Sequence, residues 1–292
     1  MLVSSSTASG SRSRIKLGMW LLLAPLCLWL LLLIILPHIE LLSFSLSDPD
    51  EGGLTLSFYG EFFNEPLYWR TFLRTAIMSI LATALTLVIA FPVAFFIAKM
   101  IKGRSKGILF AMCLIPFWVS ELVRTFGWMI LLRESGVISS GLQWLGLADS
   151  GVELLYTDAT IMLGLVYSAM LFMVVPLVST LDSLDDSYIE AGYDLGGNNW
   201  NIMREIIIPH ATPGIVSGCI IVFMLSLGNY LTPVLLGGKD SLWFTEQIYT
   251  QFITRFNWEQ GSAFGILLLL LSSLIVWLGL KVTGQSFTKT MG

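Results

Sequence analysis

Six apolar runs constrain this chain more than any other feature. They lie at about residues 17–36, 72–98, 107–132, 159–180, 214–236 and 261–281. A helix needs about 20 apolar residues to cross a bilayer. Hydrocarbon offers the backbone no hydrogen-bond partners, so such runs must pair their own N–H and C=O groups as helices. Of the 292 residues, 55% are hydrophobic and 12% charged, about half the charge of a soluble domain. The expected class is therefore all-α, a polytopic membrane protein with six transmembrane helices. The first run follows Arg12, Arg14 and Lys16. It is too long for the apolar core of a signal peptide, and no A-x-A-like cleavage site follows it. It reads as a spanning helix behind a Ser-rich, disordered cytoplasmic tail over 1–14.

Basic residues give the orientation. Arg12, Arg14, Lys16, Lys99, Lys102, Arg104, Lys106, Arg204, Lys281 and Lys289 fall on one side. Arg70, Arg74, Arg133, Lys239 and Arg255 fall on the other, and Arg124 lies within a run. The richer side is cytoplasmic by the positive-inside rule. Both termini, the 99–106 loop and the 181–213 loop are then cytoplasmic. The net charge of −4 and the lack of a basic patch with interleaved aromatics give no sign of nucleic-acid binding.

Reactive groups are sparse. Cys27, Cys113 and Cys219 each sit in an apolar run, where a lone thiol packs as a small hydrophobe. No disulfide and no metal site are expected. His38 and His210 flank prolines and receive no catalytic role. Neither a G-x-S-x-G elbow nor a G-x-x-x-x-G-K-[ST] phosphate loop occurs, so no catalytic residue and no bound cofactor are assigned.

The 181–213 loop is the least membrane-like stretch and reads as two short helices. Ser187 and Glu190 have capping-box spacing, with Asp185 and Asp186 favourable near that N-terminus. Gly196 and Gly197 end the first helix. Asn198 or Asn199 caps the second, and Pro209 stops it at Ile208. Tyr188, Ile189, Gly192 and Leu195 form one apolar face; Trp200, Met203, Ile206 and Ile207 form another.

Glu190-Ala191-Gly192, then Gly196, then Ile206, Ile208 and Pro209 have the spacing E-A-A-x3-G-x9-I-x-L-P. The loop thereby resembles the signature loop of the permease subunits of binding-protein-dependent ABC importers. Gly192 stands where alanine is usual, and Ile208 where leucine is usual. The resemblance covers roughly residues 15–285 and implies the MetI-like permease fold: five core spans after one additional N-terminal span, with a cytoplasmic tail over 286–292. It also implies a bacterial inner-membrane location and a second permease subunit in a heterodimer. Two ABC ATPase subunits that use ATP and Mg, and a periplasmic substrate-binding protein, complete the implied assembly. Glu190, Ala191, Gly192 and Gly196 are then coupling residues that engage the ATPase. Tyr188, Ile189 and Leu195 join them from the amphipathic pattern alone.

Two further segments look like those of the spermidine/putrescine branch: PFWVSELVRTFGW around Glu121 and Arg124, and GNYLTPVLLGG around Asn229 and Tyr230. Intramembrane ionisable groups are costly and so point to function. Glu121 and Arg124 at i, i+3 could equally neutralise each other. Polar residues of the fifth run could be interhelical hydrogen-bond glue. A polyamine suits aromatic faces with a few acids, which Tyr230, Trp128 and Glu121 would supply. The cargo could also be an amino-acid derivative, phosphonate, sulfate or iron. A last alternative is a magnesium-dependent prenyl-transferring enzyme built on Asp182, Asp185 and Asp186, although no second acidic motif accompanies them.

Overall fold

The computed structural model describes residues 22–48, 52–238 and 241–284. The expected tails, 1–14 and 286–292, lie outside the described residues. The described chain is helical, and its one β feature is an isolated bridge between Ser47 and Leu54. Among the described residues five helices are long and apolar enough to cross a membrane, six if the pair bent near 119–120 is counted as one span.

The first long helix, α1, covers Leu22–Leu46. A short helix, α2 (Ser57–Asn64), leads into α3 (Pro66–Met100), whose last turn, Phe96–Met100, is π-helical. Next come α4 (Arg104–Leu114), α5 (Glu121–Leu132) and α6 (Val137–Trp144). The second half holds α7 (Asp158–Asp182), α8 (Asp186–Asp194) and α9 (Asn199–Leu227). It closes with α10 (Leu231–Leu236), α11 (Phe244–Tyr249) and α12 (Trp258–Thr283).

The core sits where α3, α7 and α9 meet. It includes Ala90, Ala94, Met173, Leu177, Leu181 and Val222, all buried. Small residues permit this close approach, as in other membrane bundles. A Cβ on Gly214 would lie 2.4 Å from Thr180 Oγ1 and 2.7 Å from the Pro176 carbonyl. Buried Ala76, Ser79, Thr83, Thr86 and Ala90 mark one side of α3. Helix α1 instead presents its side chains outward and packs along α12. At the end opposite α8, Arg74 of α3 pairs with Asp158 of α7 at 2.5 Å and donates to the Leu242 carbonyl at 2.8 Å.

Three local expectations require correction. The third run is not one helix. Pro116 falls in a 3-10 turn over Ile115–Trp118, and the chain then bends by 88° into α5. Ser120 caps the new helix, its Oγ accepting from Val123 N–H. The fifth run starts earlier than expected and ends after Leu227. Gly228 closes α9 onto the Met224 carbonyl, and Asn229 Oδ1 accepts from Thr232 N–H at 2.9 Å to begin α10. Pro209 does not stop its helix. A π-helical stretch over Met203–Ile207 precedes it, and the helix continues through both Pro209 and Pro213. A proline in a regular helix clashes with the carbonyl four residues back and offers it no N–H. The wider π turn makes room at that point.

Candidate functional site: a cavity at two helix breaks and an exposed polar loop

The interruptions at 119–120 and 228–230 face each other. Between them lies a cavity of about 470 Å³ lined by Phe117, Glu121, Arg124, Phe172, Ser226, Asn229 and Tyr230, among others. A broken helix exposes backbone and polar side chains at membrane depth, which is tolerated where they line a cavity. Four of the five expected path residues, Glu121, Arg124, Asn229 and Tyr230, meet here. Trp128 does not line the cavity. It packs edge-on against Tyr167, ring centres 5.5 Å apart, in a cluster with Leu132, Leu155 and Leu236. On α5 it lies one turn beyond Arg124 on the same side of the helix, and Tyr167, which both side chains approach, takes up its ring.

Glu121 and Arg124 form no ion pair with each other. Glu121 Oε1 accepts from Asn229 Nδ2 at 2.8 Å. The Arg124 guanidinium lies over Phe117 at 4.5 Å and near Tyr167 at 5.6 Å. Its Nε and Nη1 are buried without hydrogen-bond partners among the described residues. The cavity is thus electrically mixed: one carboxylate engaged by an amide, one cation held by ring faces. Tyr230 stacks on Tyr249, centres 4.7 Å apart and planes 28° apart. Tyr249 belongs to α11, and the aromatic-rich composition of 237–260 was its only sequence signal. A second cavity of about 630 Å³ lies beyond α10, between Tyr156, Val234, Gly238 and Glu246. Burial pushes the Glu246 carboxyl above the usual carboxylate range. No local sequence pattern marks Phe117, Phe172 or Glu246 as lining residues.

The 181–213 loop forms two helices, but its first cap sits two residues earlier than the Ser187–Glu190 spacing predicts. Asp185 is the N-cap, its carboxylate accepting from Ser187 N–H at 2.9 Å. Asp and Ser are near-equal caps, and Asp185 places Asp186 in the first turn, where the dipole favours it. Gly196 has φ +83° and ends α8. Asn198 caps α9, accepting from Asn201 N–H at 2.9 Å. The apolar face of α8 divides. Ile189 packs inward against the buried cluster that includes Ile202 of α9. A Cβ on Gly192 would lie 2.8 Å from Ile206 Cδ1, so the usual alanine would press on that side chain. Outward, Tyr188 is 63% exposed, Leu195 89% and Trp200 69%. Large apolar side chains exposed at a polar tip mark an interaction surface.

The acids Asp182 and Asp186 are engaged by lysines. Asp186 pairs with Lys99 at 3.0 Å and with Lys102 at 3.6 Å, and Asp182 pairs with Lys106. The Lys99 hydrogen bond and charge hold the Asp186 carboxyl below the usual range; the Ser187 backbone N–H does the same for Asp185.

Membrane-length helices around a small-residue core, a polar cavity at paired helix breaks and a polar loop with exposed apolar side chains define a permease subunit. The chain belongs to the family of binding-protein-dependent transport system inner membrane components, whose model matches residues 90–282. It is a multi-pass inner-membrane transport subunit and not an enzyme, which removes the prenyl-transfer alternative. It is 32% identical to the spermidine/putrescine transport system permease protein PotB of Escherichia coli over 253 residues, 85% of this chain and 91% of that protein. It is 31% identical to the protein of that name from Haemophilus influenzae over 254 residues, 85% of this chain and 88% of that protein. It is also 30% identical to the inner membrane ABC transporter permease protein YdcU of Escherichia coli, over 76% of this chain and 74% of that protein. Among solved structures, a chain of a bacterial alginate ABC transporter in complex with a pentasaccharide-bound periplasmic protein superposes with a TM-score of 0.76. It is 18% identical, with 96% of this chain and 100% of that chain covered. A chain of the inward-facing MetNI methionine ABC transporter gives 0.57 at 19% identity, over 75% and 97%. At such identities the likeness establishes the fold.

Proposed function

We propose that this chain forms one half of the translocation pathway of an ATP-driven importer of polyamines, paired with a second permease subunit. Two cytoplasmic ATPases act on the 181–213 loop, and a periplasmic binding protein delivers cargo to the outer loops. ATP and Mg are used by the ATPases. Both termini face the cytoplasm in this arrangement. The permease unit spans 15–285, with short cytoplasmic tails over 1–14 and 286–292. The observation that carries the reading is the Glu121–Asn229–Tyr230 constellation at the facing helix breaks. A carboxylate beside an aromatic face suits an organic ammonium, and the relatives named for spermidine and putrescine support that class. The exposed Tyr188 and Leu195, with Glu190, Ala191 and the Gly196 hinge, suit docking of α8 into a groove on a soluble partner. Displacement of that partner would move the attached spans and switch the cavity between its two openings.

A second cargo class has one observation behind it. The unpaired Arg124 donors suit a cargo carrying a carboxylate or carbonyl besides its ammonium, such as an amino-acid derivative. Uptake of labelled spermidine into proteoliposomes holding the whole complex, with putrescine and amino acids as competitors, separates the two. Saturable spermidine uptake blocked by putrescine is the expected result. Competition by amino acids alone would reassign the cargo.

A further inference from the structure

Coupling requires that displacement of α8 reach more than the two spans joined to it by sequence. Lys99 lies at the end of α3, far from α8 in sequence, yet its side chain is 8% exposed. Its Nζ donates to the Leu184 carbonyl, just past the end of α7, and to Asp186 Oδ1, in the first turn of α8. Lys106 of α4 donates to Asp182, the last residue of α7, and to the Ala98 carbonyl of α3 at 3.3 Å. Lys102, 84% exposed, adds a longer contact to Asp186. Beneath these pairs, Ile97, Ala98, Leu181, Leu184 and Ile202 are buried in one cluster.

Two features distinguish this arrangement from a solvated charge cluster. A buried lysine is costly unless its donors are satisfied, and Lys99 spans α7 and α8 with a single ammonium. The pairs also join elements in crosswise fashion, α3 to α8 and α4 to α7, so that α3 and α4 cannot lag behind the loop without breaking charge-assisted bonds.

We propose that Lys99–Asp186 and Lys106–Asp182 form an ionic clamp that transmits movement of the 181–213 loop to α3 and α4, making Lys99, Lys106, Asp182 and Asp186 positioning residues for transport. Through α4 the movement reaches the break at 119–120 and so Glu121. The proposal rests on the reading of 181–213 as the ATPase contact.

The test uses Asp186→Asn and Asp182→Asn, because both acids are half-exposed and the Asp185 cap remains; Lys99→Ala would leave a hole in the fold. The complete complex is reconstituted in proteoliposomes, and uptake and ATP hydrolysis are measured on the same preparation. Clamp loss should lower the cargo moved per ATP hydrolysed by about three- to tenfold in the double variant, the range expected for residues that modulate coupling between sites. The ATPases should still co-purify, and Asp186→Glu should keep most of the ratio. An unchanged ratio overturns the clamp. So does a loss of co-purifying ATPase, which would assign the acids to docking. Gly196→Val run in parallel separates the two levels. Lost uptake there with an unchanged ratio in the aspartate variants removes the clamp alone, whereas normal uptake in Gly196→Val removes the coupling reading beneath it.

Discussion

Asn229 donates to Glu121 across 2.8 Å and so ties together two helix breaks that lie more than a hundred residues apart in the chain. One residue opens α5 and the other sits between α9 and α10. The same amide accepts from Thr232 N–H with its oxygen, so both ends of the side chain are committed. Charge and architecture are therefore separable at this site.

Glu121→Gln keeps an acceptor for Asn229 and removes only the charge. Its thermal midpoint in detergent should match the wild type, while polyamine uptake falls about tenfold, as for loss of one close charge partner. Glu121→Ala should also lower stability, by about 1 kcal/mol, because the half-buried amide loses its partner. Equal uptake by Glu121→Gln and wild type would take the carboxylate off the cargo path.

At Gly196 no atom lies within 4 Å of an added Cβ, and φ is +83°. The cost of substitution is then backbone strain alone, about 1–2 kcal/mol for most residues. Gly196→Asn should retain more uptake than Gly196→Val, since asparagine tolerates positive φ better than a β-branched residue. Both variants should accumulate in the membrane. Identical transport by the two would mean that the turn conformation does not matter.

The contact between Gly192 and Ile206 makes a paired prediction. Gly192→Ala places a methyl 2.8 Å from Ile206 Cδ1, a mild overpacking that costs about 1 kcal/mol. Ile206→Val removes that atom, so the double variant should recover the loss. A double-mutant cycle on thermal stability measures it, and strict additivity would contradict the packing.

Asp185 and Asp186 both have carboxyl groups held below the usual range. For a depressed carboxylate, the stabilisation is present above the unfolded value, about 3.9, and disappears as pH falls through the folded value. Amide exchange protection at residues 184–188, corrected for intrinsic rate, should therefore hold from pH 7 to about pH 5 and decline below about pH 4. A decline already complete near pH 6 would contradict the assignment to these two carboxylates.

Much of this protein is legible one residue at a time. Hydropathy over about 20 residues gives the spans, and side chains that bond the backbone two or three residues on give caps such as Asn198. The E-A-G-x3-G loop gives the family, because its spacing is local. Even so, local rules misplaced the first cap of that loop, since Asp185 and Ser187 have near-equal capping preferences. They also ended a helix at Pro209 that a π turn carries onward. The tertiary structure alone decided that Glu121 meets Asn229 rather than Arg124, that Trp128 faces Tyr167, and that Lys99 reaches Asp186. Each depends on how helices distant in sequence cross. That geometry is set by small residues such as Gly214 against Thr180, where a few tenths of an ångström decide the approach. Periodicity in one segment contains no record of which face its partner presents.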